Sequence, residues 1–250
     1  HNSTDGNEML FAASRCGAIH LPLNWRLTVP ELEFILGDAE PAVLICGKEF
    51  ADRALELQRR CGIARVVMKG DGEDSDYEQA IAAGHRLAHP VRPELSDVWV
   101  LMYTSGTTGR PKGAQLTYEA HLFNCINATM KTQLTSSSKG LTYLPQFHVG
   151  GICLYAIPLF HLGGAVMVMR QFDPQACFDL LARPESGVTH TFGVPTNFLM
   201  MSQLPEFEGA RFDHLVSVGI GGAPSPLALL KRYAEKGVLF QQGWGMTETC

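Results

Sequence analysis

The sequence predicts an α/β fold, a mainly parallel sheet flanked by helices. Three observations carry that prediction. Short apolar runs of strand length alternate with stretches of helical spacing along most of the chain, the pattern of crossover units. Helix-start signals recur between the runs, including a Thr28-x-x-Glu31 capping box and an Asp173-Pro174 pair. Hydrophobic residues make up 46% of the 250 positions and charged residues 18%. That is ample material for a packed core, and it excludes general disorder. The length suits one large domain or two small ones.

The elements follow in order. Helical spacing runs from Asn7 to Arg15 and ends near Gly17, and Ile19 to Leu23 predicts a short strand. The capping box, with Pro30 in the first turn, opens a helix that runs to about Leu36 and stops at Gly37. Ala42 to Ile45 is too short an apolar run for a helix and predicts a strand. A helix over Asp52–Arg60 and a strand over Ala64–Met68 come next. The acidic run Asp71–Asp76 lacks EF-hand spacing and reads as a solvated loop. Beyond Pro93, strands are predicted at Val98–Tyr103, Leu141–Leu144, Ala165–Met169, Thr189–Phe192, Leu215–Ile220 and Val238–Gln241. Helices are predicted at Thr117–Met130, Val149–Leu162, from Asp173-Pro174 onward, at Pro195–Gln203 and at Pro226–Lys236. In such sheets ligands lie at the carboxyl ends of the strands.

Composition and charge exclude several functions. The formal net charge is −5, which disfavours binding to nucleic acid or to anionic membrane. The seven cysteines are odd in number and widely spaced, with no C-x-x-C pair. Neither a disulfide framework nor a zinc knuckle is indicated, and reduced thiols in a cytoplasmic protein are expected. Two N-x-T tripeptides, at Asn2 and Asn127, match a pattern common by chance. From Gly140 to Met169 no charged side chain occurs, yet Pro145, Pro158, His148, His161 and two Gly-Gly pairs interrupt the run. A buried helix between two buried strands fits better than a membrane span. The sequence shows no initiator Met and no visible signal-peptide pattern, and its last residues, Gly243 to Cys250, stop within what reads as a motif. A fragment cut at both ends is expected.

The strongest functional signal is Thr104-Ser105-Gly106-Thr107-Thr108-Gly109-Arg110-Pro111-Lys112, directly after the Val98–Tyr103 strand. The hydroxyls of Thr104, Ser105, Thr107 and Thr108 crowd one short loop. Gly106 and Gly109 let the backbone turn tightly and approach an anion, and exposed N–H groups in such a turn form an anion nest. Lys112 adds a full positive charge. Each hydrogen bond to a charged phosphate contributes about 1.5–3 kcal/mol, so several together could hold a triphosphate. This is not Walker A, because Arg110-Pro111 separates Gly109 from Lys112. An ordinary Gly/Thr surface turn accounts for any two of these residues and accounts badly for the whole run.

This loop resembles the signature loop of the AMP-forming adenylate superfamily, which includes acyl-CoA synthetases, peptide-synthetase adenylation domains and firefly-type luciferases. Other segments, in the right order, strengthen the resemblance. They are Asn24-Trp25-Arg26-Leu27-Thr28, Phe147-His148-Val149-Gly150-Gly151, Gly221-Gly222-Ala223-Pro224 and Gln242-Gly243-Trp244-Gly245-Met246-Thr247-Glu248. The resemblance covers nearly the whole chain and implies a partial large N-terminal domain of an adenylate-forming enzyme, residues 1–250, with the C-terminal domain absent. It implies a reaction in two halves. A carboxylate attacks the α-phosphorus of ATP to give an acyl-adenylate and pyrophosphate, and the thiol of coenzyme A then displaces AMP.

The resemblance also assigns roles. Thr104, Ser105, Gly106, Thr107, Thr108, Gly109 and Lys112 would hold the β- and γ-phosphates. Glu248 would bind Mg2+ and Thr247 would contact phosphate. Gly222, Ala223 and Pro224, with Gln242, Gly243, Trp244 and Gly245, would bracket the adenine. His148 would lie near the reacting carboxylate. Val149, Gly150, Gly151, Gly193, Val194, Pro195, Ile220 and Gly221 would wall the acyl pocket. Lys112, Thr247, Glu248 and His148 are the candidate catalytic residues. Bland readings stand beside these: Glu248 as a surface carboxylate, Trp244 as a core residue, His148 as a satisfied histidine at a helix start. Gln146 departs from the apolar residue common before Phe-His, which concerns local pocket shape. His161, His190, Met200 and Met201 read as core or pocket lining.

An acyl-CoA synthetase for a fatty or aromatic acid leads, because Gly150-Gly151 leave room and no Asp precedes the pocket helix to anchor an amino group. A peptide-synthetase-type adenylation domain and a non-catalytic nucleotide-binding fragment stay open. The expected partners are the acid, ATP and coenzyme A. The isolated fragment is expected to bind nucleotide weakly and to turn over negligibly.

Overall fold

The computed structural model describes residues 1–70, 72, 75–106 and 109–250. Three sheets organise them. The largest has five parallel strands in the order β6-β5-β7-β8-β9: β5 Lys139–Thr142, β6 Ala165–Val168, β7 His190–Gly193, β8 Ser217–Gly221 and β9 Phe240–Gly243. Helices cover both faces. On one, α8 Pro174–Ala182, α9 Pro195–Ser202 and α10 Leu227–Ala234 pack Phe178, Phe198 and Tyr233 onto Leu141, Val218 and Ile220. On the other, Leu159 of α7 (Ala156–Leu162) packs with Leu134 and Tyr155, against Val166 and Phe192. The period-2 alternation of a strand explains the split in β8. Val218 and Ile220 enter the first core. A Cβ on the intervening Gly219 or Gly221 would meet the Phe192 ring.

The second sheet is a hairpin of β3 Val98–Thr104 and β4 Lys112–Thr117. It packs on Leu10 of α1 (Thr4–Cys16), Cys125 of α5 (Tyr118–Thr132), Ile152 of α6 (Val149–Ile152) and Ile157 of α7. The third sheet pairs β1 Val43–Gly47 with β2 Arg65–Lys69 in parallel, packed with α2 Val29–Ala39 and α3 Ala51–Cys61. Mixed α/β architecture with mainly parallel pairing is therefore as expected.

Five local expectations need correction. First, β3 and β4 pair antiparallel, and β4 was not foreseen; only Leu116 of its side chains is fully buried, so its sequence lacks a strand's apolar alternation. Second, the single helix over 149–162 is two. Pro158 sits in the first turn of α7, where a missing N–H costs no helical bond. Third, Ile19–Leu23 forms no strand. His20 alone bridges Val100, and Pro22 has no N–H to extend the ladder. Fourth, α2 continues past Gly37 to Ala39 and closes on Glu40 at φ 45°, whose N–H reaches the Leu36 carbonyl. Fifth, the end of the acidic run is not loop: α4 Asp76–Ala82 starts at its last residue, capped by the Ser75 hydroxyl on the Glu78 N–H. Asp71, Glu73 and Asp74 of that run lie outside the described residues.

Candidate nucleotide and acid site

The phosphate-loop candidate spans the turn of the β3–β4 hairpin. Thr104 and Lys112 stand opposite each other in the ladder, so the loop leaves and returns at one point. Gly106 adopts φ 59°, and a Cβ there would come 2.6 Å from the Arg110 carbonyl oxygen. The turn therefore requires glycine at that position on two grounds. Ser105, Gly109 and Lys112 are exposed; Thr107 and Thr108 lie outside the described residues. The root of the loop is fixed by Tyr103, whose hydroxyl donates to the Asp38 carboxylate in α2.

The other predicted segments gather at one edge of the five-stranded sheet. Because β5, β7, β8 and β9 are parallel neighbours, their carboxyl ends face the same way. His148 and α6 follow β5, and Val194-Pro195 follow β7. Gly222-Ala223-Pro224 follow β8, and Trp244-Gly245 follow β9. Gly221 and Gly243 are register partners. Gly222 (φ 76°), Ala223, Pro224, Gln242, Gly243, Trp244 and Gly245 are exposed. Trp244, 87% exposed, is thus no core residue; its ring is free to meet a ligand.

After β9 the chain turns through Thr247–Thr249 and packs on β4. That contact brings the turn carrying Thr247 and Glu248 to the strand that begins at Lys112. The exposed Glu248 carboxylate is a hard oxygen donor and fits a magnesium ligand.

The segment predicted to face the acid, residues 145–151, is tightly built. Gly151 is obligatory, because a Cβ there would collide with the Pro145 carbonyl. His148 caps α6 with extended backbone and keeps an exposed edge. Desolvation, and then the Arg26 charge, lower its pKa below the ordinary value, which favours the neutral imidazole. Arg26 lies 5.8 Å over the Phe147 ring and 5.0 Å over the Trp25 ring. Arg53 holds this segment by donating from Nη1 to the Trp25 carbonyl at 2.8 Å and the Leu27 carbonyl at 3.2 Å. Tyr143, Leu144, Gly150, Tyr155 and Phe192 among others line a crevice beside α6 that is too narrow to admit a water molecule. A larger hollow lies at Arg15, Arg86 and Pro90 and touches none of the predicted site residues.

The predicted acyl wall divides. Val149, Gly150 and Val194 keep accessible surface, whereas Gly151, Gly193, Pro195, Ile220 and Gly221 are buried. Ile220 is 0% exposed and belongs to the helix-side core, so its side chain presents nothing to a ligand. Gly193 is small because Tyr143 and Phe198 press on it, and Gly221 because Phe192 and the Gly243 carbonyl do. Gln146 is a clamp: its Nε2 donates to the Ser3 carbonyl (3.0 Å) and Asn7 Oδ1 (3.1 Å), and its Oε1 accepts from the Ser3 N–H (2.9 Å). His190 is buried between the Thr189 hydroxyl and the Thr132 carbonyl, and Met201 is core, but His161 and Met200 are exposed. Sequence reasoning assigned no role to Phe192 or Tyr103; no motif signals a lone aromatic or a tyrosine at a strand end.

Loops after four parallel strands, gathered at one sheet edge, are the usual place for a ligand in this class of α/β protein. The chain belongs to the AMP-binding enzyme family, whose model matches residues 1–250. It is 39% identical over 244 residues to a feruloyl-CoA synthase from Amycolatopsis, covering 97% of this chain and 47% of that protein. It is 32% identical over 253 residues to an indoleacetate–CoA ligase from Aromatoleum aromaticum, covering 100% and 49%. Among solved structures, ATP-bound MatB from Rhodopseudomonas palustris superposes with TM-score 0.88 at 27% identity, covering 99% of this chain and 48% of that one. The inhibitor-bound N-terminal domain of FACL13 from Mycobacterium tuberculosis gives 0.87 at 30%, covering 99% and 61%. The chain spans about half the length of the curated relatives it matches. All seven cysteines are free thiols, and no helix among the described residues is long and apolar enough to cross a membrane.

Proposed function

We propose that this chain provides the ATP- and acid-binding part of an AMP-forming acid–thiol ligase, which activates a carboxylic acid as its acyl-adenylate and transfers it to coenzyme A. One observation carries the reading: the loops after β5, β7, β8 and β9 lie at one edge of the parallel sheet, and the 247–249 turn beyond β9 packs on β4, the strand that leaves the glycine loop. The names of the relatives, an aromatic-acid CoA synthase and an aromatic-acid CoA ligase, support an aromatic acid as the first substrate class to test, with fatty acids next.

In this reading Thr104, Ser105, Gly106, Thr107, Thr108, Gly109 and Lys112 grip the β- and γ-phosphates, and Thr247 contacts phosphate. Glu248 holds Mg2+, which offsets charge on the phosphates. Gly222, Ala223, Pro224 and Gln242 to Gly245 bracket the adenine, with Trp244 offering an aromatic face. His148, Val149, Gly150 and Val194 face the acid. The first half-reaction brings two anions together. Two unit charges 4 Å apart interact by about 4 kcal/mol at an effective dielectric of 20, so Lys112 and Arg26 lower that repulsion by placement alone. The neutral His148 can donate a hydrogen bond to the carboxylate without a proton transfer. Acid-dependent ATP–pyrophosphate exchange by the full-length protein tests the reading. Exchange stimulated by an aromatic or fatty acid supports it; nucleotide hydrolysis to ADP with no exchange for any acid refutes it.

A further inference from the structure

Three metal-ligating side chains from distant parts of the sequence converge behind the 247–249 turn. They are His121 on α5, Cys153 between α6 and α7, and Cys250 at the end of the turn. Cys250 Sγ lies 3.0 Å from His121 Nδ1, and Cys153 Sγ lies 3.9 Å from the same nitrogen. The three ligand atoms all lie within 4.8 Å of one another. His121 is 2% exposed and Cys153 0%, with the Trp99 ring edge-on to the imidazole at 4.8 Å.

The donor set is specific in its chemistry. Two sulfurs and an imidazole suit zinc and other thiophilic cations, whereas magnesium and calcium take oxygen. Zinc bonds of about 2.3 Å to sulfur and 2.1 Å to nitrogen put tetrahedral ligand atoms roughly 3.5 Å apart, between the two separations above. A buried cysteine alone is an ordinary small apolar residue. Here, however, a buried histidine directs its ring toward two thiols drawn from separate segments, which core packing alone does not require. We propose that His121, Cys153 and Cys250 form a binding site for a thiophilic divalent cation of the zinc class, separate from the magnesium assigned to Glu248. Occupancy ties the segment carrying Thr247 and Glu248 to α5 and to the α6–α7 junction, which follows His148. The site stands on these three side chains and does not depend on the ligase reading.

The probe is Co2+ added to the reduced full-length protein under anaerobic conditions. The expected result is one equivalent bound, with thiolate charge-transfer absorption and the intense visible bands of tetrahedral cobalt, both erased by Zn2+. Cys250→Ser, at a half-buried position, weakens binding about tenfold or more, as does Cys153→Ser if that variant folds. Cys16→Ser, at an exposed thiol outside the cluster, leaves the spectrum unchanged. Absence of thiolate charge-transfer at stoichiometric Co2+ overturns the proposal. So do bands that survive unaltered in folded Cys250→Ser protein.

Discussion

Lys112 faces Thr104 across the hairpin and is exposed, so its removal leaves the core untouched. Lys112→Ala is expected to weaken ATP binding by about 1.5–3 kcal/mol with unchanged circular dichroism; calorimetric titration with MgATP checks it, and equal affinity removes Lys112 from its role. Glu248→Gln keeps the side-chain shape and loses the carboxylate. Its magnesium titration shifts to higher concentration, and an unaltered titration counts against the assignment. His148 responds to Arg26, whose charge disfavours a second cation. Arg26→Ala therefore raises the His148 pKa toward its ordinary value, which an NMR titration of the imidazole reads directly. A pKa that stays put would break that coupling.

At the scale of elements, the hairpin loop depends on its left-handed turn. Gly106→Ala brings a Cβ 2.6 Å from the Arg110 carbonyl and strains φ, so nucleotide affinity falls without loss of the sheet. The His20 bridge to Val100 carries a pH signature. Burial lowers the His20 pKa from 6.5 to about 4, so the folded state holds it neutral. Its contribution is complete above pH 6.5 and is lost as pH falls toward 4, by roughly 1–3 kcal/mol. Urea unfolding across that interval should show the decline, and His20→Gln should flatten it. Much of this scale is legible in the sequence, because caps such as Thr28 with Glu31 and Asp173 act through local geometry. β4 is not legible, since its pairing partner rather than its own pattern makes it a strand. The break between α6 and α7 falls just before Pro158, whose missing N–H cannot bond back to Leu154, so α7 starts afresh at Ala156.

For the whole molecule, alternating strands and helices made the parallel sheet foreseeable, and the topology then gathers distant loops at one edge. The motif positions in the candidate site were legible because they occupy loops, where sequence reports backbone need directly. The acyl wall was less so. Ile220, Gly193 and Gly221 follow the motif but are buried, Ile220 by the helix-side core and the glycines by Phe198, Tyr143 and Phe192, and whether a residue lines a pocket depends on which face of its strand is covered. The most direct test of the shared edge is a crystal structure of the full-length protein with MgATP. The triphosphate should lie in the 104–112 hairpin with the metal on Glu248, and the adenine between Gly222–Pro224 and Trp244. Phosphates bound elsewhere, with that hairpin empty, would contradict the account.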